Sequence, residues 1–450
     1  MSATPALVVA SPVVSPSSGP ISVAWVHVVG AGSVRRDFGH HIATNAAGEA
    51  VIAARLAHVD GNLAEKGVRS VKATPGTSVG LQGGRLVKIG AGGRPAWSLP
   101  LRDTGLLCAP RLALDDAGAA YVAGPYAPDK AGLYGAREVM LSKLGPGGRV
   151  EWTRPLILVQ NHEGRPRVPL VRVAADPNGG ACVTWIGTRR ESPILRALRF
   201  SADGSIRWAY AWPITGQAVE PHVGIDASGA TVLWGTLQGA LHFDPSRLES
   251  SHLEDMLGGA RYVIRVAADG RVSWAQKFEV GYKTPHVVAV GRDGSVGVAT
   301  VMDFHEGRPR KRVPKLVLIR LDAAGSAVRG ARGHGGPHTS IPSVSIAPSG
   351  RDAFAVGGYF SGTLRWGGTT LQSLTQASEA IFVAGAGPDG ESWAYATPVP
   401  QLSGGVSVHG AQDGAVLVGI WIHGAMTLGE QRITSPRDQA VLVLAKLSHR

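Results

Sequence analysis

Short stretches of alternating apolar and polar residues run the length of the chain, each broken by a small-residue turn, and that period of two predicts strands half-buried in a sheet. One element recurs: a polar residue, an apolar strand, an Asp/Gly turn and a second apolar strand. It reads HIATNAAGEAVIAA from His41, RLALDDAGAAYVAG from Arg111, RVAADPNGGACVTW from Arg172, HVGIDASGATVLWG from His222 and HVVAVGRDGSVGVAT from His286. SVSIAPSGRDAFAVGG from Ser343 and SVSVHGAQDGAVLVG from Ser407 complete seven copies. Between copies lies a second hairpin whose last strand usually carries a tryptophan: Trp97, Trp152, Trp208, Trp274 and Trp393, with none in the copy from Leu318 to Gly330.

Four short strands per unit, repeated every 55 to 65 residues or so, is the pattern of a propeller, in which each unit is one blade. The expectation is an all-β chain: a single seven-bladed β-propeller of four-stranded blades over residues 21–450, behind a flexible Pro/Ser/Ala-rich leader at 1–20. The last copy ends in one lone strand, AVLVLAKL at 440–447, and ISVAWVHVV at 21–29, with Trp25 at the tryptophan position, is its missing partner. An N-terminal strand completing the C-terminal blade would close the ring and remove its exposed sheet edges.

The units resemble those of bacterial NHL-like and SBBP-type repeat propellers, through the V-x-V-D-x-x-G-x-V-x-V pattern and the segment from Gly358 to Ala396. The resemblance implies the fold, an inner first strand along a channel, an outermost tryptophan strand, and an extracytoplasmic or cell-surface location. Such families include adhesins, interaction platforms and a few lyases or hydrolases, and no catalytic motif of theirs transfers residue by residue.

Composition adds limits. With 44% hydrophobic residues and a mean hydropathy of +0.06, the chain has the apolar content for a core, and its 61 Gly and 29 Pro suit many turns. Two cysteines, Cys108 and Cys182, exclude a disulfide scaffold or a four-cysteine metal centre. No apolar run approaches the roughly 20 residues of a membrane helix. The leader has no Lys or Arg and so does not read as a signal peptide. A balance of 45 basic against 33 acidic residues gives +12, which favours acidic partners.

Chain direction places the tight turns on one end of the ring and the longer connections, where binding residues usually sit, on the other. Closure predicts that His41, Arg111, Arg172, His222, His286, Ser343 and Ser407 form a ring at the channel mouth on the long-connection end, able to attract an anion. The hexapeptide HEGRPR, present at His162–Arg167 and His305–Arg310, adds Arg165, Arg167, Arg308, Arg310, Lys311 and Arg312 to the same end. No aromatic residues interleave with these cations, so sequence-specific nucleic-acid binding is not expected. The function expected is non-enzymatic: a scaffold presenting this basic face to an acidic protein or an acidic polysaccharide. No catalytic residue, cofactor or metal is assigned. The alternative is a lyase or hydrolase using His41, His222 or His286 as general base.

Overall fold

The computed structural model describes residues 21–32, 41–55, 84–100, 110–126, 138–158, 160–162, 165–167, 170–189, 192–242, 252–254, 260–278, 286–306, 311–350, 353–375, 378–387, 392–399, 402–411, 413–435 and 440–449. The expected leader lies outside the described residues.

All described elements are strands joined antiparallel. β1 (Ile21–Gly32) is followed by a sheet of β2 (His41–Thr44), β3 (Ala50–Arg55), β4 (Gly84–Ile89) and β5 (Pro95–Pro100). The next sheet is β6 (Arg111–Leu114), β7 (Ala120–Tyr126), β8 (Glu138–Leu144) and β9 (Val150–Leu158). A ribbon of β10 (Gln160–His162) and β11 (Arg165–Arg167) precedes β12 (Arg172–Ala175), β13 (Ala181–Arg189), β14 (Ser192–Phe200) and β15 (Ile206–Ile225). Next come β16 (Thr231–His242), β17 (His252–Glu254), β18 (Ala260–Val266) and β19 (Val272–Phe278), then β20 (His286–Val290), β21 (Val296–Glu306), β22 (Lys311–Leu321) and β23 (Ala327–Gly335). β24 (Ser340–Pro348) and β25 (Phe354–Ser361) lead through the ribbon β26 (Thr363–Trp366) and β27 (Thr369–Gln372) to β28 (Glu379–Ala386) and β29 (Ser392–Val399). The chain ends with β30 (Leu402–Gly410), β31 (Val416–Ile422), the ribbon β32 (Ala425–Leu428) and β33 (Gln431–Thr434), and β34 (Ala440–His449).

The first strands of the repeats touch in ring order, β2 to β6, β12, β15, β20, β24, β30 and back to β2, so the sheets close into an all-β propeller. β1 lies against β34 in the order β1-β34-β31-β30. The number of separate blades differs from the seven expected. Among the described residues six sheets of four or more strands form, because β15 pairs with β14 through Ile206–Pro213 and then with β16 through Ile214–Ile225. Two four-stranded repeats thus merge into one eight-stranded sheet. The chain passes from one repeat to the next within the single strand β15, whose pairing changes from β14 to β16 between Pro213 and Ile214.

Packing between repeats follows one scheme. The indole N–H of Trp25 donates to Ala91 O at 3.1 Å, Trp97 to Pro146 O at 2.8 Å, Trp152 to Ala202 O at 2.8 Å and Trp274 to Ala323 O at 2.9 Å. At Trp208 the bond to the neighbouring turn comes instead from Tyr210 Oη to Gly270 O. In every case the acceptor lies in the second-hairpin turn of the next repeat. That turn ends in a glycine with φ between +79° and +95°, over which the indole lies. A Cβ at Gly204 would stand 2.9 Å from Trp152 Cδ2, so a side chain there meets both backbone strain and a clash.

Gly204→Ala should therefore destabilise the protein by about 2–4 kcal/mol, the sum of a left-handed backbone cost and overpacking. Gly147→Ala, where an added methyl meets nothing within 4 Å, should change stability by less than about 0.5 kcal/mol. Urea denaturation of the two variants checks this, and equal midpoints would contradict the latch.

Candidate functional site

The end of the inner strands away from the tight turns holds most of the expected ring. Each first hairpin is closed by a turn whose leading residue donates its backbone N–H to the carbonyl of the residue four positions on, as Asn45 does to Glu49 O and Asp226 to Ala230 O. Counting back four positions from that residue gives His41, Arg111, Arg172, His222 and Ser407 in equivalent places. The same count gives Val287 before Gly291 and Ser345 before Ser349, not His286 and Ser343. His286 is one residue out of step and Ser343 two. Both stand in the sequence as the polar residue that opens an apolar strand. The turn itself was the better anchor, although its glycine comes early, at Gly350, in the Ser349 turn.

Hydrogen bonding supports the revised register. Leu112 N–H donates to His41 Nδ1 at 3.1 Å, and Val408 N–H donates to Ser345 Oγ at 3.1 Å. In both, the ring side chain accepts from the backbone just after the ring position of the next repeat. Arg172 Nε donates to His222 Nδ1 at 3.4 Å, and the His222 imidazole stacks on Trp234 with centroids 5.5 Å apart and planes 9° from parallel. All these ring side chains are half-buried.

The two histidines share a chemical consequence. An imidazole that accepts at Nδ1 carries its proton on Nε2 in the neutral form, so Nε2 addresses an acceptor. His41 and His222 are in this state hydrogen-bond donors, alongside the guanidinium groups of Arg111 and Arg172.

The basic loops fold as hairpins. Arg165 and Arg167 lie on β11, with His162 opposite Arg165 and Gln160 opposite Arg167. Lys311 and Arg312 open β22, opposite Glu306 and His305. Arg308 and Arg310 lie outside the described residues. By connectivity both hairpins belong to the same end as the ring.

Sequence reading missed a row of cations in the third strands. Lys88, Lys143, Arg199, Arg265 and Lys446 each stand directly opposite the tryptophan of their own repeat. They turn to acids near the tight turns: Lys88 to Glu49 at 3.2 Å, Lys143 to Glu151 at 2.9 Å, Arg265 to Asp226 at 2.5 Å, Lys446 to Asp413 at 2.7 Å, and Arg199 to Asp176. Lys88 and Arg265 also donate to Gly118 O and Gly294 O of the following repeat, both at 2.9 Å. These cations are structural and carry their own counter-charge. The basic residue next to last in β4, β8, β14 and β18 was the signal available.

Cys182 is fully buried, and burial pushes its thiol up to about 12, which removes it as a nucleophile. Among the described residues no three His, Cys, Asp or Glu side chains cluster to hold a metal ion. No described helix is long and apolar enough to cross a membrane.

No protein-family model and no curated protein matches the chain. Among solved structures it is similar to a protein of unknown function from Dyadobacter fermentans DSM 18053, at 14% identity over 96% of this chain and 99% of that one, TM-score 0.40. It is also similar to the polysaccharide lyase Uly1 (12% identity, 75% and 89% covered, TM-score 0.39) and to the WD40 domain of SCAP from fission yeast (9%, 94% and 94%, TM-score 0.39). At these distances no function is carried across.

The revised register makes a clear prediction. Ser345→Ala removes the acceptor of Val408 N–H and should cost about 1–3 kcal/mol, whereas Ser343→Ala should cost under about 0.5 kcal/mol. Thermal or urea unfolding of both variants distinguishes the two serines, and the reverse order would restore Ser343 to the ring.

Proposed function

We propose that the protein is a binding propeller whose channel mouth and long-connection end hold an acidic protein or a polyanionic glycan. The observation that carries this reading is the donor character of the ring. His41 and His222 accept at Nδ1 and so carry the neutral-state proton at Nε2, beside Arg111 and Arg172, with no acid among the ring positions. Such a site suits carboxylate or sulfate oxygens, which take charge-assisted bonds from guanidinium and imidazole together.

The same bonds count against the enzymatic alternative. A general base needs a ring nitrogen lone pair turned to its substrate, and in both histidines the Nδ1 lone pair is committed to a neighbouring donor. The HEGRPR hairpins extend the cationic surface beyond the ring, and their longer reach suits steering of a polyanion. The third-strand cations add nothing to it, since each is matched by an acid at the opposite end.

Binding of polyglutamate and of polygalacturonate, measured by calorimetry on the full chain, tests this. Arg111→Gln and Arg172→Gln should each weaken binding by about tenfold or more, the worth of one charged hydrogen bond. Joint replacement of Arg308, Arg310, Lys311 and Arg312 with Ala should flatten the dependence of affinity on salt. Unchanged affinity in both sets sinks the basic-face reading.

A further inference from the structure

The ring is not uniform. Followed in the order of first-strand contacts, its positions read His41, Arg111, Arg172, His222, then Val287, Ser345 and Ser407. The donor and cationic residues occupy one continuous arc. The facing arc is neutral, with one apolar side chain and two hydroxyls. Ser345 Oγ already accepts from Val408 N–H, so its own proton is left to donate.

The opposite end of the same strands is tied shut. Asn45 Nδ2 donates to Asp115 O at 3.1 Å, Ala46 N–H to Asp116 Oδ1 at 3.3 Å, Asn178 Nδ2 to Ala227 O at 3.2 Å and Ala227 N–H to Arg292 O at 3.1 Å. Arg292 Nη1 then donates to Asp116 Oδ2 at 2.5 Å. Those two residues sit in the turns after β20 and β6, which are not neighbours in the ring. β12 and β15 separate them on one side, and β24, β30 and β2 on the other. The Arg292 side chain therefore reaches across the channel axis. A polymer threaded through the ring would have to displace this bar, whereas a chain end entering from the ring side meets it as a floor.

Resting on the polyanion-binding reading above, we infer that the channel is a blind pocket that takes the terminal residue of an acidic glycan, a uronate. A uronate carries its carboxylate on one edge and hydroxyls on the others. A uronate set across the ring would bring its carboxylate edge to the arc of Arg111 and Arg172, and its hydroxyl edge to the arc of Ser345 and Ser407. A run of acidic side chains on a peptide presents carboxylates on several sides and suits a ring that is cationic all round.

Stoichiometry reads the difference without relying on any variant. The full chain is titrated with a short oligogalacturonate and a long polygalacturonate at equal concentrations of chain ends. A blind pocket gives one protein per chain end for both, and Arg111→Gln with Arg172→Gln lowers affinity for both at least tenfold. Protein bound in proportion to polymer length overturns the blind pocket while leaving polyanion binding in place. Binding of polyglutamate but not of either galacturonate overturns the uronate assignment and leaves the basic face. Binding of none of the three overturns both readings.

Discussion

Each tryptophan that lies over the glycine turn of the next repeat turns a row of hairpins into a ring. The indole needs a flat surface and an acceptor, and a turn ending in a left-handed glycine offers both: no Cβ and an outward carbonyl. The cation opposite the tryptophan then ties the same repeat to its own turn acid and, at Lys88 and Arg265, to the following repeat. One four-residue pattern therefore fixes both the outer and the inner contacts of a blade. This is why composition is so strongly weighted to Gly and so lightly to function.

The scheme fails at two places, and both are repaired. Arg329 replaces the tryptophan opposite Arg320. There the β26–β27 ribbon adds to the edge of β23, and Trp366, 1% exposed, donates from its indole to Gly385 O of the next repeat at 3.1 Å. At the seam, β34 and β1 come from opposite ends of the chain, so no turn exists to receive Trp393. The β32–β33 ribbon takes that place: Thr397 Oγ1 donates to Thr427 O at 2.7 Å, and Gly429 packs against Val23. Long connections that look like binding loops in the sequence are, in these two repeats, clasps for missing latches.

That difference shows what a sequence of repeats can and cannot convey. Hairpins, turns and the seam were legible because each depends on local chemistry: alternation, a turn glycine, an unpartnered strand. The merging of two repeats through β15 is strand pairing that continues across Pro213 and Ile214, which a strand-by-strand reading treats as a loop. The ring was legible at five positions, where the polar residue stands four before the leading residue of the turn, and misread at His286 and Ser343, which stand five and six before it. Polarity at a strand start is a weaker guide than distance from the turn, because the turn recurs with the same backbone bond whereas the strand start shifts, from His41 four residues before its turn to Ser340 nine before.

The two ends of the ring also differ in how their polar groups are used. At the turn end, acids and cations are consumed by one another. The buried pairs Arg199–Asp176 and Arg265–Asp226 hold groups whose desolvation is tolerable only in pairs. Charge there cannot be released to a ligand without unfolding a turn. At the ring end, the same side chains that staple neighbouring strands do so with one atom each, His41 and His222 through Nδ1 and Ser345 through an Oγ lone pair. Closure of the propeller therefore runs through the same side chains that the proposed ligand site uses, and a ligand bound there would polarise the bonds that hold the inner strands together.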